Sequence, residues 1–160
     1  MQNASDPHRQ KALDYLQNHN VMTLATQGIE RPWAAAVFYV NEGFNLFFLS
    51  LPSSRHALNL EANPWVSATV QEDYRNWHEI KGIQLEGKAI RIEGVEQAAA
   101  AVRYGLKFPV VGNLTDAPEE IIAALGRIVW FKVAPARLFF VDNSLGFGYR
   151  DEVLLQGVKS

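Results

Sequence analysis

The chain has 160 residues, 48% of them apolar and 20% charged, with a formal net charge of −2 and no cysteine. These values suit one globular domain with its own core, so we expect a single domain over residues 1–160. The near-neutral charge argues against nucleic acid and anionic membranes as partners. The absence of cysteine excludes disulfides, thiolate nucleophiles and cysteine-ligated metal centres.

The first sixteen residues are polar and lack the apolar core of a signal peptide. No apolar run approaches the ~18 residues of a membrane-spanning helix. We therefore expect a cytoplasmic protein with no membrane partner.

The first third of the chain predicts one helix and then three strands. Ser5-Asp6-Pro7 provides an N-cap and a first-turn proline for a helix that ends near Asn18. Apolar runs predict strands over residues 21–27, 32–40 and 44–51, the last of them buried on both faces. Asn41-Glu42-Gly43 is predicted to be the hairpin turn between the second and third strands.

The rest of the chain predicts three helices and three strands. Ser53 or Ser54 caps a short helix that ends at Asn63-Pro64. Further helices are predicted over residues 95–108 and 117–125, and strands over 65–71, 83–94 and 126–142. We expect a bend or bulge at Gly87 and a break of the last strand at Ala134-Pro135.

Five or six strands with short turns favour a mainly β protein with peripheral helices. A closed antiparallel barrel would remove the edges that such apolar strands otherwise expose. We therefore expect an antiparallel barrel with the helices packed on its outside.

The stretch after the third strand has the composition of an anion site. A helix begins there, and the first turn of a helix carries unpaired N–H groups and partial positive charge. Ser50, Ser53 and Ser54 offer hydroxyl donors, Arg55 offers a permanently charged fork, and His56 adds charge only when protonated. The same residues also fit a plain N-cap followed by a solvated arginine, so the residue pattern alone leaves both interpretations open.

The longer run LSLPSSRHALNLEANPWVSATV resembles the FMN-binding split-barrel family related to pyridoxamine 5′-phosphate oxidase. In that family an apolar strand ends in Ser or Thr, and Ser, Arg and usually Lys follow before a helix that stops at Asn-Pro. The matching positions here are Ser50, Ser54, Arg55, His56 and Asn63-Pro64. The resemblance implies a barrel core of about 21–94 and 127–142, and the tail VDNSLGFG is similar to an uncharacterised branch of the family.

The resemblance implies a homodimer that holds FMN at the subunit interface. Arg55 would grip the phosphate with His56 in the usual place of Lys, while Ser50 and Ser54 would donate to phosphate or ribityl oxygens. Residues 34–39 would run along the flavin ring, Leu49 would border the pocket, and Lys81 and Gln84 would reach the ring from the partner subunit. The implied ring-contacting residues of the second strand are Ala35, Ala36, Val37, Phe38 and Tyr39.

The implied function is an FMN-dependent oxidoreductase acting on an unidentified small molecule. The second strand lacks the Arg and Lys of the vitamin-making oxidase, and its Arg-rich C-terminal signature is missing. We therefore do not expect pyridoxamine phosphate as the substrate. The alternatives are a non-catalytic flavin- or haem-binding protein, a deazaflavin-binding protein, and a dimeric module with an empty pocket.

Other candidate residues give weaker signals. The four histidines, His8, His19, His56 and His78, lack metal-ligand spacing, so we expect no metal. Phe147, between two glycines, is predicted either to cover the flavin ring or to dock one aromatic side chain in a tight turn. The basic and aromatic stretch 74–77 is too short to indicate a single-strand nucleic-acid site.

Overall fold

The computed structural model describes residues 6–109 and 117–155. Four helices lie in this part of the chain: α1 (Pro7–Asn18), α2 (Arg55–Ala62), α3 (Gly94–Lys107) and α4 (Glu119–Leu125). The strands of the same part are β1 (Val21–Thr26), β2 (Trp33–Phe38), β3 (Val40–Glu42), β4 (Asn45–Ser50), β5 (Trp65–Gln71), β6 (Lys81–Ile92), β7 (Val129–Asp142) and β8 (Arg150–Glu152). Short 3-10 turns at Trp77–Glu79 and Asn143–Leu145 precede β6 and follow β7.

The eight strands form one antiparallel sheet in the order β2-β1-β5-β6-β7-β4-β3, with β8 beside β7. The sheet curls so that β2 and β4 approach each other, while the pairing path still ends at β2 and β3. This architecture confirms the predicted mainly β split barrel with peripheral helices.

The helix boundaries follow local capping chemistry. The carboxylate of Asp6 accepts the backbone N–H of His8 at 3.1 Å, and Pro7 opens α1, as expected from the sequence. Ser5 lies outside the described residues. Ser54 caps α2, with its hydroxyl accepting the N–H of Ala57 at 3.3 Å, and α2 ends before Asn63 as predicted.

Strand β4 separates two apolar clusters, which confirms that it is buried on both faces. Phe48 belongs to the main core inside the curled sheet, where it stacks on Phe131 with ring centroids 5.1 Å apart. Phe47 faces the opposite way, into a smaller cluster beneath α3 that includes Tyr104 and Trp130. The helix α3 therefore covers the outer side of β4.

The second predicted strand is divided in the structure, so the prediction of one strand over 32–40 was wrong. Tyr39 is fully buried, its N–H donates to the carbonyl of Asn20 at 3.0 Å, and its hydroxyl donates to the carbonyl of Leu16 at 2.8 Å. Because Tyr39 turns into the core, the chain leaves its pairing with β1 there and continues as β3 beside β4.

The hairpin turn begins two residues later than predicted. Glu42 pairs with Asn45, so Asn41 and Glu42 are strand residues and the turn consists of Gly43 and Phe44. Gly43 adopts φ 56, a left-handed conformation that glycine accepts without strain.

The predicted break of the last strand is also wrong, because β7 runs continuously through Pro135. The irregularity is a register shift between Glu86 and Gly87, opposite Arg137 and Pro135 respectively. A side chain on Gly87 would come within 2.3 Å of the carbonyl oxygen of Ala134, so glycine permits this close approach. The bulge predicted at Gly87 is therefore confirmed. The irregularity that we expected as a break in the last strand is instead this shift in its pairing with β6.

The tail contains one strand that the sequence did not reveal. β8 pairs Arg150 with Val141 and Glu152 with Phe139, which extends the sheet beside β7. Helices long and apolar enough to cross a bilayer are absent from residues 6–109 and 117–155.

Candidate cofactor site

The predicted anion site lies where β4 ends and α2 begins. The hydroxyl of Ser50, which is 9% exposed, lies 2.8 Å from the hydroxyl of Ser54 and 2.6 Å from Nε2 of His56. Ser54 also lies 3.2 Å from the same imidazole nitrogen. We call these three residues the hydroxyl–imidazole cluster. Their side chains converge because Ser50 closes a buried strand while Ser54 and His56 occupy the N-cap and first turn of α2.

Burial lowers the pKa of His56 below its ordinary value, because a half-buried imidazole loses solvation of its charged form. The ring is therefore neutral at pH 7 and carries a single proton. Two hydroxyls face its Nε2, and hydroxyl protons can rotate to donate or accept. The cluster can therefore rearrange its protons around an anion without moving heavy atoms.

Arg55 lies beside this cluster and points toward β2. Its guanidinium carbon lies 4.5 Å from the centroid of the Trp33 ring, and Nη2 donates to the carbonyl of Arg31 at 3.2 Å. Glu30 approaches the same nitrogen at 3.7 Å. The side chain is 39% exposed, so stacking on the indole holds the guanidinium at the surface of the protein.

The residues of β2 alternate between two environments. Ala36 and Phe38 are exposed on the outer face of the sheet, whereas Ala35 and Val37 are half-buried on the inner side. Tyr39 lies in the core, where its hydroxyl bonds to α1. The structure thus places two of the five predicted ring-contacting residues, Ala36 and Phe38, on the exposed face.

The exposed face beside β2 is built from small side chains. Thr23 lies opposite Ala36 on one side and Thr69 on the other, and Thr69 lies opposite Gln84. A cavity of about 360 Å³ lies on this face, lined in part by Thr23, Thr69, Gln84 and Phe139. We call the outward side of β2, β1, β5 and β6 the open sheet face.

Three further predicted residues lie in different places. Leu49 is half-buried and packs against the cluster beneath α3. Gln84 is exposed on the open sheet face, where its side-chain oxygen accepts a bond from Arg150 at 3.2 Å. Lys81 is half-buried on the other side of β6, where it lines a cavity with residues of α1. Within one chain, the side chains of Lys81 and Gln84 therefore lie on opposite sides of β6.

The donor set at the start of α2 fits a phosphate group. It offers two hydroxyls, one imidazole and the first-turn N–H groups of an eight-residue helix, with a permanent positive charge on the adjacent residue. The small side chains of Ala36 and Thr23 leave room for a flat ring on the open sheet face. No group of three or more potential metal ligands occurs among the described residues.

The sequence did not reveal how Arg55 is held. Trp33 was assigned only to a strand, and Glu30 and Arg31 were given no role. The spacing Arg31-x-Trp33 was the available signal, because it puts an indole and a carbonyl at the start of an exposed edge strand. The alternation of Thr23, Ala25, Ser67 and Thr69 likewise indicated an outward face of small residues.

A family model described as pyridoxamine 5′-phosphate oxidase matches residues 9–142. The chain belongs to the pyridoxamine 5′-phosphate oxidase family. A UPF0306 protein of Photorhabdus laumondii is 32% identical over 136 residues, covering 84% of this chain and 87% of that protein. The family assignment confirms the resemblance found in the sequence.

Two solved structures that share this fold are described as haem-binding or haem storage proteins. A haem-binding protein from Mycobacterium smegmatis superposes with a TM-score of 0.72 at 22% identity, over 97% of this chain and 60% of that one. HutZ from Vibrio cholerae, described as a haem storage protein, superposes with a TM-score of 0.67 at 21% identity, over 82% of this chain and 92% of that one. At these identities the likeness establishes a shared fold.

Proposed function

We propose that the protein binds FMN, with the phosphate at the start of α2 and the ring on the open sheet face. The observation that carries this proposal is the convergence of Ser50, Ser54 and His56 at the helix N-terminus. A phosphate dianion there gains hydroxyl and backbone donors, and the guanidinium of Arg55 supplies the permanent charge. To reach the phosphate, Arg55 would rotate away from the Trp33 ring and the carbonyl of Arg31.

We further propose that two copies pair through the open sheet face and enclose the ring. The face exposes Val21, Phe38 and Trp65 at 40%, 54% and 52% of their surfaces, around a centre of small side chains. Exposed apolar side chains in such an arrangement favour burial against a second copy. In that dimer Gln84 of each copy approaches the ring bound by the other, and the corresponding prediction for Lys81 stays a prediction.

The proposed activity is oxidoreduction of a small molecule. The flavin, when bound, accepts and returns the electrons, and the protein binds it, orients it and excludes water from one face of the ring. Because the flavin performs the electron transfer, the chain does not need to supply a general acid and a general base. We propose a cytoplasmic reaction, so reduced nicotinamides are the first electron donors to test.

The direct test is titration of apoprotein with FMN, followed by absorbance and flavin fluorescence. The proposal expects saturable binding by a dimer and a higher melting temperature, roughly equivalent to 2.7 kcal/mol at a hundred times the dissociation constant. Anaerobic addition of NADH or NADPH then separates an enzyme, whose bound flavin bleaches, from a carrier, whose flavin stays oxidised. Failure of FMN to bind would reject the proposal.

Haem binding is the second candidate, because two proteins that share this fold are described as haem-binding or haem storage proteins. The candidate axial ligands are His19, His56 and His78. His19 has both ring nitrogens engaged at 2.7 Å and His56 bonds to two serines, whereas His78 has no side-chain hydrogen bond recorded within the described residues. A Soret band that is lost in His78→Ala, with no FMN binding, would favour haem.

A further inference from the structure

A second cavity in the described part of the chain lies away from the proposed flavin site. It has a volume of about 620 Å³ and lies between α1, the loop from β5 to β6 and the end of β7. This size is within the range of small-molecule sites. We call it the α1 cavity.

The inner wall of the α1 cavity is aromatic. Tyr15 packs edge-on against Phe140 with ring centroids 5.7 Å apart, and Tyr74 lines the same cavity. Tyr15 is buried, and it donates to the carbonyl of Lys81 at 3.0 Å. The wall therefore offers an apolar surface that can hold the body of a small ligand.

The hydrogen bond between the two tyrosine hydroxyls at this wall has a defined donor. Tyr15 has one proton, and it is used in the bond to the carbonyl of Lys81. The hydroxyls of Tyr15 and Tyr74 lie 3.1 Å apart, so Tyr74 must be the donor of that second bond. The oxygen of Tyr74 consequently presents only acceptor capacity to the cavity, which suits an ammonium group.

Charges of both signs line the cavity without pairing. Lys11 and Lys81 contribute ammonium groups, and Asp14 and Glu79 contribute carboxylates. Within residues 6–109 and 117–155, none of these four forms an ion pair. Three of the cavity's carboxylates accept hydrogen bonds from the protein: Asp14 from Gln10, Glu72 from His19 and Asp142 from Ser144.

We infer that the α1 cavity binds a zwitterionic small molecule with an aromatic body, of the size and charge of an aromatic α-amino acid. The ammonium group faces Tyr74 and the carboxylates, the acid group faces the lysines, and the ring lies on the aromatic wall. A metal ion is a poor alternative, since no group of three metal ligands occurs among the described residues. This inference does not depend on the proposed flavin function.

Three ligands of matched shape test the inference on the full-length wild-type protein. L-Phenylalanine carries both charges, 2-phenylethylamine lacks the carboxylate, and 3-phenylpropionate lacks the ammonium. We expect saturable binding of L-phenylalanine with a dissociation constant on the order of 1 mM, as ligand efficiency predicts for its size. Each single-charge analogue should bind at least roughly 5-fold more weakly, measured by amide NMR shifts.

Amino-acid substitutions in the wall of the α1 cavity test whether L-phenylalanine binds there. Glu79→Gln and Lys11→Gln should each weaken L-phenylalanine binding by roughly 3- to 10-fold, the size of a partly exposed charged contact. Glu61→Gln, on an exposed position of α2 outside the cavity, should leave it unchanged. Binding of either analogue as tight as L-phenylalanine, no saturation of the wild type, or unchanged affinity in Glu79→Gln would each overturn the inference.

Discussion

The hydroxyl–imidazole cluster and the α1 cavity are built from different parts of the chain, and they present different charges to a ligand. The cluster consists of neutral groups at pH 7, with its permanent charge on the adjacent Arg55. The α1 cavity instead has ammonium and carboxylate groups on its walls. A helix N-terminus with neutral donors suits an anion, whereas walls of both signs suit a zwitterion. The same fold thus offers two kinds of polar recognition.

The largest expected effect that separates the two regions is on flavin affinity. Arg55→Ala removes the permanent charge beside the cluster and should weaken FMN binding by roughly 1.5–3 kcal/mol, the range for hydrogen bonds to charged groups. Isothermal titration with FMN measures the loss. Arg103→Ala removes an arginine of α3 that pairs with Glu42, and it serves as the control.

L-Phenylalanine binding to Arg55→Ala should stay at the wild-type level, because the α1 cavity does not include Arg55. A variant that unfolds, or that loses both ligands together, would show that Arg55 supports the fold rather than the anion site.

The second effect concerns the stability of the α1 region. Tyr15→Phe deletes a buried hydroxyl that bonds to Tyr74 and to the carbonyl of Lys81, and should lower the free energy of unfolding by about 1–2 kcal/mol. Urea denaturation measures this change. The hydroxyl of the exposed Tyr149 donates to the exposed carboxylate of Asp151, so Tyr149→Phe should change stability far less. Equal losses in the two variants would contradict the role of the tyrosine pair.

A smaller effect is the pH dependence that His56 imposes on stability. Its pKa is lowered by burial, so below the ordinary pKa of 6.5 the unfolded chain binds the proton more readily than the folded protein does. The free energy of unfolding should therefore fall as pH drops below 6.5, with no contribution from His56 above about pH 7.5. Thermal melts of wild type and His56→Gln across this range measure the difference, and parallel curves would contradict it.

The smallest effect is a gain in affinity at the same position. His56→Lys places a permanent charge beside Ser50 and should tighten FMN binding at pH 8 by a few fold, as charge-assisted bonds exceed neutral ones. Fluorescence titration at pH 8 measures this gain. Unchanged affinity would mean that position 56 does not face the phosphate.

Much of the fold could be predicted because each element has strong local signals. Asp6-Pro7 and Ser54 mark helix starts, and the β4 sequence NLFFLS is apolar throughout because both of its faces are buried. The errors arose where tertiary contacts override local pattern. Tyr39 reads as part of a continuous strand, and only its bonds to α1 and the preceding turn show why the chain changes partner there.

The candidate site was predictable in composition but not in arrangement. The run from Ser50 to His56 indicated an anion site because hydroxyls, arginine and a helix start occur together. The stacking of Arg55 on Trp33 joins residues 22 positions apart, and only the folded sheet brings them together. Lys81 and Gln84 were grouped together, yet their side chains lie on opposite sides of β6, since residues three apart on a strand face opposite ways.

The most direct test of the central claim compares FMN with riboflavin, which lacks the phosphate. If the start of α2 holds the phosphate, FMN should bind at least roughly 30-fold more tightly than riboflavin, the value of one or two charge-assisted hydrogen bonds. That preference should shrink sharply in Arg55→Ala. Equal affinities for the two flavins, or a preference that Arg55→Ala leaves intact, would contradict the account.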